Sequence, residues 1–424
     1  MKSSDLQVKN TLHTVVIPFY IYAAISFLVA TILLACSGTA LTQHYFQPRL
    51  LAITHIMALG WGTMIILGSS HQLLPVLIEG NLYSRKLAQL SFILAAAGIP
   101  LLVYAFFIFD FGWPARWGGI LVNAGVLSFV VNVANSIRKS QQENIHAIFV
   151  FTAACWLLAT TAIGLVLVYN FQDNFLPKDS LAFLSLHMHL GIIGWFLLLV
   201  VGVGSRLLPM FFISKYTNSR LLWWIYALIN TGLVAFVIMF LKFHGMHRLA
   251  VLPVAVALIL FVRYCYCAYQ ARIRRQVDGQ MKLSVLSVVM IFIPVLILVV
   301  ISGLTAGASD RPGLEMAYGF TIFFGWITSI ILGMTFKTLP FIVWNKVYEE
   351  HAGLVKTPQP ADLFSSRLFK GMSVTYLVGF VLFLTGLLNS QVVLLNISSG
   401  LLVAAALCYN LNVFKLVLHE RDHK

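Results

Sequence analysis

Charge is scarce in this chain. Only 10% of its 424 residues are Asp, Glu, Lys or Arg, 60% are hydrophobic, and the mean hydropathy is +0.89. A water-soluble protein of this length cannot cover so much apolar surface with polar groups, so the composition excludes a soluble fold and implies an all-α integral membrane protein. Acidic residues are scarcer still, 14 against 28 Lys and Arg, and none is expected within a membrane span. Cysteine occurs five times, never as C-x-x-C or C-x-x-C-H, which excludes covalent haem attachment. The net charge of +14 needs no nucleic-acid partner: basic residues concentrated at membrane borders set orientation and meet anionic lipid.

What is abundant is the long apolar run. Twelve of them recur, each long enough to cross a hydrocarbon core of ~30 Å. They predict helices over 12–36, 50–77, 86–110, 115–137, 146–170, 181–213, 219–243, 248–271, 282–306, 314–343, 366–389 and 392–417. The first is too long for an ordinary signal segment and reads as a retained anchor. An even number of spans places both termini on one side. The opposite loops then hold only Arg49, Arg116, Lys178, Lys242, Arg248 and Arg311, leaving 22 of the 28 basic residues on the terminal side. That asymmetry predicts cytoplasmic termini.

Three stretches repeat one pattern: THIMALGWGTMIILGSSHQLLPV from Thr54, MHLGIIGWFLLLVVGVGSRLLPM from Met188 and GFTIFFGWITSIILGMTFKTLPF from Gly319. Gly-Trp stands at Gly60–Trp61, Gly194–Trp195 and Gly325–Trp326. Eight residues after each glycine comes another (Gly68, Gly202, Gly333), and fifteen residues after comes proline (Pro75, Pro209, Pro340). Each period holds four helices. The expectation is one membrane domain over 1–424 made of three units, about 1–137, 138–271 and 272–424, as a pseudo-threefold ring with helices 2, 6 and 10 facing inward. Each proline is expected to end or kink its helix.

Histidine placement gives the chemistry. His55 and His189 each lie five residues before their glycine, and Phe320 holds that place in the third copy. His187, two residues from His189, points about 200° away on a helix, so the two imidazoles serve opposite sides of helix 6. His244 and His247 close helix 7 at the same membrane level. Neutral imidazole ligates iron and copper, so these five are the candidate ligands. By repeat symmetry, His55 and His187 are expected to hold a b-type haem, with His189, His244 and His247 forming a copper site or a second haem site. Which of His187 and His189 serves which centre stays open. His13, His44, His71, His146, His351, His419 and His423 are expected at helix ends and loops, outside any such site.

The stretch HMHLGIIGW resembles the H-x-H-x-G-x-x-G-W motif in the catalytic subunit of cbb-type haem-copper oxidases. That resemblance implies a twelve-helix pseudo-threefold fold and haem ligation by both motif histidines. It further implies a copper ligand on helix 6 with a pair closing helix 7, and a bacterial inner-membrane location. The departures are specific. The motif stands on helix 6 rather than helix 10, where Tyr318 and Phe320 are found instead. No tyrosine neighbours His244–His247, and the carboxylates of a proton path are absent. The general plan is similar to the NnrS family of the nitric-oxide response. The expected function is a haem-binding, oxidase-like protein that binds a diatomic gas or carries electrons near the outer face, with an electron-donor subunit as a possible partner. Two alternatives are carried: a divergent terminal oxidase or nitric-oxide reductase subunit, and a haem or copper transporter.

The topology is directly testable. A reporter fused after Lys424 is expected to be active only in the cytoplasm; activity only outside would invert the placement of every histidine.

Overall fold

The computed structural model describes residues 13–140, 144–242, 249–273, 276–304, 312–352, 354 and 356–420. Twelve helices among these are long and apolar enough to cross a membrane: α1 (His13–Ala35), α2 (Pro48–Leu77), α3 (Arg85–Ile108), α4 (Trp113–Arg138), α5 (Ile145–Asp173), α6 (Ser180–Phe212), α7 (Ser219–Lys242), α8 (Val251–Gln270), α9 (Gly279–Gly303), α10 (Gly313–Tyr348), α11 (Ser366–Leu388) and α12 (Val392–Val417). No strand occurs among the described residues. The protein is therefore an all-α, multi-pass membrane protein. The spans match the hydropathy reading to within three residues, except that α10 runs five residues further. One expectation is corrected: Glu315 stands in the first turn of α10 and Asp173 ends α5. Acidic side chains thus occur within the spans only at their ends, where water can reach them.

The helices gather into two compact units. One comprises 1–69, 103–109 and 278–424; the other comprises 70–102 and 110–277.

In the first unit, α1 packs on α12, where Asn410 Nδ2 donates to the Ala24 carbonyl at 2.8 Å. Tyr20 on α1 shares a 2.9 Å hydrogen bond with Thr338 on α10, and the Trp61 indole donates to Thr328 Oγ1 at 3.0 Å. Lys337 pairs with Asp278, which also caps α9. In the second unit, α5 is held by α4 through Asn123 and Thr161, and by α7 through Trp156–Asn230 and Thr152–Tyr226. Such polar pairs tie helices together where apolar side chains gain little by leaving lipid.

The sequence repeat has a backbone counterpart. Each Gly-Trp lies in a π-helical segment: Ile56–Thr63 in α2, Leu190–Leu197 in α6 and Thr321–Ile327 in α10. Each begins on the residue immediately after His55, His189 and Phe320, the position five before the glycine. A π turn replaces the i→i−4 bond with i→i−5, as in Met64 N–H to Leu59 and Leu198 N–H to Ile193. Such widened turns are rare and cluster at functional places.

The glycines are required by close approach. A Cβ on Gly60 would lie 2.7 Å from Ser26 Oγ, and one on Gly194 would lie 2.7 Å from Trp156 Cβ. Eight residues on, Gly68, Gly202 and Gly333 press against Phe19, Phe149 and Ser284 of α1, α5 and α9. The helix preceding each registered helix therefore packs at the same point in every copy.

The prolines behave differently from one another. After Pro75 and Pro209 the helix closes alike: residue 79 or 213 turns left-handed (φ 48° and 53°), and Gly80 N–H or Ser214 N–H donates back to the proline carbonyl. After Pro340 the helix continues for two turns, to Tyr348. A proline leaves the carbonyl four residues back without its usual donor; in α10 that loss is accommodated without a stop.

Close packing yields a prediction. Gly333→Ala sets a methyl 2.6 Å from the Gln280 carbonyl oxygen, whereas a Cβ on Gly400 meets nothing within 4 Å. Gly333→Ala is expected to cost about 1–3 kcal/mol. Read by thermal unfolding in detergent, Gly400→Ala should cost nothing measurable.

Candidate functional site

Three histidines of the expected ligand set are described, and their rings share one feature. His55 Nδ1 lies 2.8 Å from the Leu51 carbonyl, and His189 Nδ1 lies 2.7 Å from the Ser185 carbonyl, in each case four residues back in the same helix. His187 Nδ1 lies 3.1 Å from the Thr160 carbonyl on α5. A carbonyl can only accept, so in the neutral ring Nδ1 carries the proton and Nε2 keeps the lone pair. That tautomer is the one in which histidine ligates a metal through Nε2 while a backbone carbonyl fixes the ring.

The surroundings of the rings separate them. His189 is 9% exposed and lies against Phe236 of α7, with ring centroids 5.1 Å apart. His55, half-buried, lies against Phe106 at the end of α3, at 4.3 Å. In the third copy Phe320 stacks on Phe383 of α11, also at 4.3 Å. At each registered position, then, a ring leans on a phenylalanine from the following helix. His187 does something else. Its Cε1 would be 2.8 Å from a Cβ on Gly164, so its imidazole occupies a space on α5 that only glycine leaves open. His187 thus faces α5 and His189 faces α7. His55 belongs to one compact unit, His187 and His189 to the other.

His244 and His247 lie outside the described residues. Among the described residues, no three His, Cys, Asp or Glu side chains come close enough together to hold a metal ion. His71, expected at the end of α2, is instead fully buried against Phe129 of α4 (centroids 5.3 Å). His146 at the start of α5 is held by the Gly202 carbonyl and by Ser205 Oγ, at 3.0 and 3.1 Å. On α10, Tyr318 is buried at 8% exposure.

The donor chemistry fits haem iron: buried or half-buried neutral imidazoles, each with its Nε2 lone pair defined by a backbone bond on the other nitrogen. No protein-family model matches the chain, and no curated protein matches it.

Sequence comparison among the copies marks His55, His189 and Phe320 but misses their phenylalanine partners. Phe106, Phe236 and Phe383 follow the repeat glycines at unequal distances, because the loops between helices differ in length.

Proposed function

We propose that the protein is a haem-binding, oxidase-like membrane protein in which His55 and His189, each within its own compact unit, would ligate haem iron. The observation that supports this reading is the paired geometry at equivalent register. In two different helices, the last residue before the π segment is a histidine whose Nδ1–H is bound one turn back. Held there, haem would supply redox chemistry and the binding of a diatomic gas. The chain's own residues do the rest. Leu51 and Ser185 carbonyls fix the ring planes and raise the basicity of Nε2. Phe106 and Phe236 flank the rings with apolar surface. His187, seated on Gly164, has its Nδ1–H held by the Thr160 carbonyl in the same way and is a further candidate ligand on the α5 side. The relation to the haem-copper oxidases and the NnrS-like plan belong to this proposal, as do the inner-membrane location and an electron-donor partner.

The alternative role for His189 is at a copper site with His244 and His247 in place of a second haem site, three imidazoles of the type that favours copper among first-row ions. The transporter alternative calls for helices broken at mid-membrane. Here α2, α6 and α10 run unbroken, their hydrogen bonding widened but continuous, which favours the haem-protein reading.

Optical spectroscopy on the purified chain tests it. A Soret band with sharp reduced α and β bands is expected. His55→Ala and His189→Ala should each lower haem content or shift the reduced spectrum, while His71→Ala should lower stability and leave the spectrum of the folded fraction unchanged. No Soret band in the wild type would turn the reading to transport. Equal haem loss in all three variants would show that repeat register does not select ligands.

Metal analysis of the same preparation addresses the second centre. Copper is expected in the wild type and lost in the His244→Ala, His247→Ala double variant. Slow or absent oxygen consumption is expected, since no tyrosine adjoins that pair.

A further inference from the structure

Between Asp179 and Asp278 the chain contains no acidic residue. Within this stretch five described cations gather where α6 ends, α7 begins and α8 ends: Arg206, Lys215, Arg220, Arg263 and Arg272. None of them forms an ion pair among the described residues. Four are exposed, and Arg272 is half-buried.

The arrangement is held by an aromatic frame. Tyr216 and Tyr264 rings lie 5.3 Å apart, and the Tyr264 hydroxyl donates to the Ser205 carbonyl at 3.0 Å. Arg263 precedes Tyr264 on α8, and Arg206 follows Ser205, the acceptor of the Tyr264 hydroxyl, on α6, so both arginines spring from backbone beside this pair. Arg272 stacks on Tyr269 with its guanidinium carbon 3.8 Å from the ring centre, and donates through Nη1 to the Tyr269 carbonyl at 2.8 Å. A backbone bridge from Ser214 to Arg272 ties the α6–α7 connection to the end of α8. The buried Nε–H of Arg272 has no acceptor among the described residues.

Depth makes this patch more than the usual border of positive charge. Arg206 stands six residues before the end of α6 and Arg263 seven before the end of α8, about 9–10 Å inside by helix rise. Each is exposed on its helix, and neither makes a hydrogen bond among the described residues. A guanidinium facing hydrocarbon at that depth is costly unless it reaches out to the border or an anion reaches in. Trp223 and Trp224, 46% and 67% exposed on the first turns of α7, mark the interface beside it.

We propose that the ends of α6, α7 and α8 form a seat for the phosphate headgroup of an anionic phospholipid. Arg206 and Arg263 contact the phosphate, and Arg272, Lys215 and Arg220 strengthen the local field. Guanidiniums suit this role because their planar donors match phosphate oxygens. The site is independent of the histidines and of any haem.

The test uses the full chain purified in neutral detergent, titrated with phosphatidylglycerol, phosphatidylcholine or inorganic phosphate, with bound lipid counted by native mass spectrometry. Phosphatidylglycerol is expected to bind selectively. The Arg206→Gln, Arg263→Gln, Arg272→Gln variant should lose about a hundredfold in affinity, from roughly 1 kcal/mol per basic residue near an anionic surface. Its folding is checked by unfolding temperature in phosphatidylcholine. The corresponding triple Lys variant keeps charge and should recover part of the loss. Arg367→Gln with Lys370→Gln, which removes exposed charge from the start of α11, should change affinity less than twofold. The proposal is overturned if wild type binds both lipids equally, if the α11 control loses as much as the triple variant, or if inorganic phosphate competes at equal concentration. The last result would assign the seat to a soluble anion.

Discussion

Hydrocarbon offers no hydrogen bonds, and the architecture follows from that constraint. Every backbone N–H and C=O in a span must find its partner within the protein. Twelve helices meet the condition, and the polar side chains that enter the spans meet it too. Thr, Ser and Asn hydroxyls and amides fold back to carbonyls one turn away or cross to a neighbouring helix, as Asn410 does to both Ala406 and Ala24. The π segments are deviations that still obey the rule. Where the segment in α10 ends, Thr328 Oγ1 donates to the Phe323 carbonyl at 2.7 Å and in turn accepts from the Trp61 indole. The widened turn is thereby tied to a second helix within the same unit.

The three registered helices preserve what packing needs and vary what chemistry needs. The glycines, the tryptophans and the π turn persist in all three, because a Cβ at any of the six glycines would strike the neighbouring helix and each tryptophan is at most 2% exposed. The residue at the head of the π segment is free of that demand, and it differs: His, His, Phe. Phe320 finds three phenylalanine neighbours, Phe324, Phe380 and Phe383, and makes a filled aromatic cluster. His55 and His189 instead lean on Phe106 and Phe236 and bind a carbonyl one turn back through Nδ1. Of the three helices that share the pattern, two carry a polar group at this position and one is closed by apolar packing.

Most of the architecture was legible because it rests on hydropathy and on glycine. Span limits followed from where apolar runs stop, and the repeat followed from small residues at fixed offsets. The π turns were not legible, since α and π segments use the same residue types. Nor were two matching clasps. Asn132 on α4 donates to the Ser84 carbonyl and accepts from its N–H, and Asn412 on α12 does the same with Ser365. These clasps join the start of α3 to α4 and of α11 to α12 in the same manner. They escape a fixed-offset search because Ser84 comes 24 residues after Gly60, while Ser365 comes 40 after Gly325. The prolines were expected to end or kink their helices, and a helix end follows closely in two copies while the third helix runs on. After Pro75 and Pro209 a left-handed residue turns the chain; after Pro340 helix-compatible residues carry it on to Tyr348. Of the candidate site, the sequence register singles out His55 and His189, while the seat of the His187 ring against Gly164 of α5 was not legible in it.

The side chains that titrate are distributed by what each costs to bury. A carboxylate or guanidinium away from water needs a partner, and here carboxylates stay at helix ends, Lys337 pairs with Asp278 near one such end, and Arg206 and Arg263 keep to exposed faces. Imidazole is the exception, because near neutral pH it gives up its charge at little cost and then needs only one donor satisfied and one acceptor left over. A helix carbonyl one turn back satisfies the donor of His55 and of His189 from within the same helix, without help from a neighbour. The same arrangement at two equivalent positions, each just before a widened turn, is the feature that packing alone does not require.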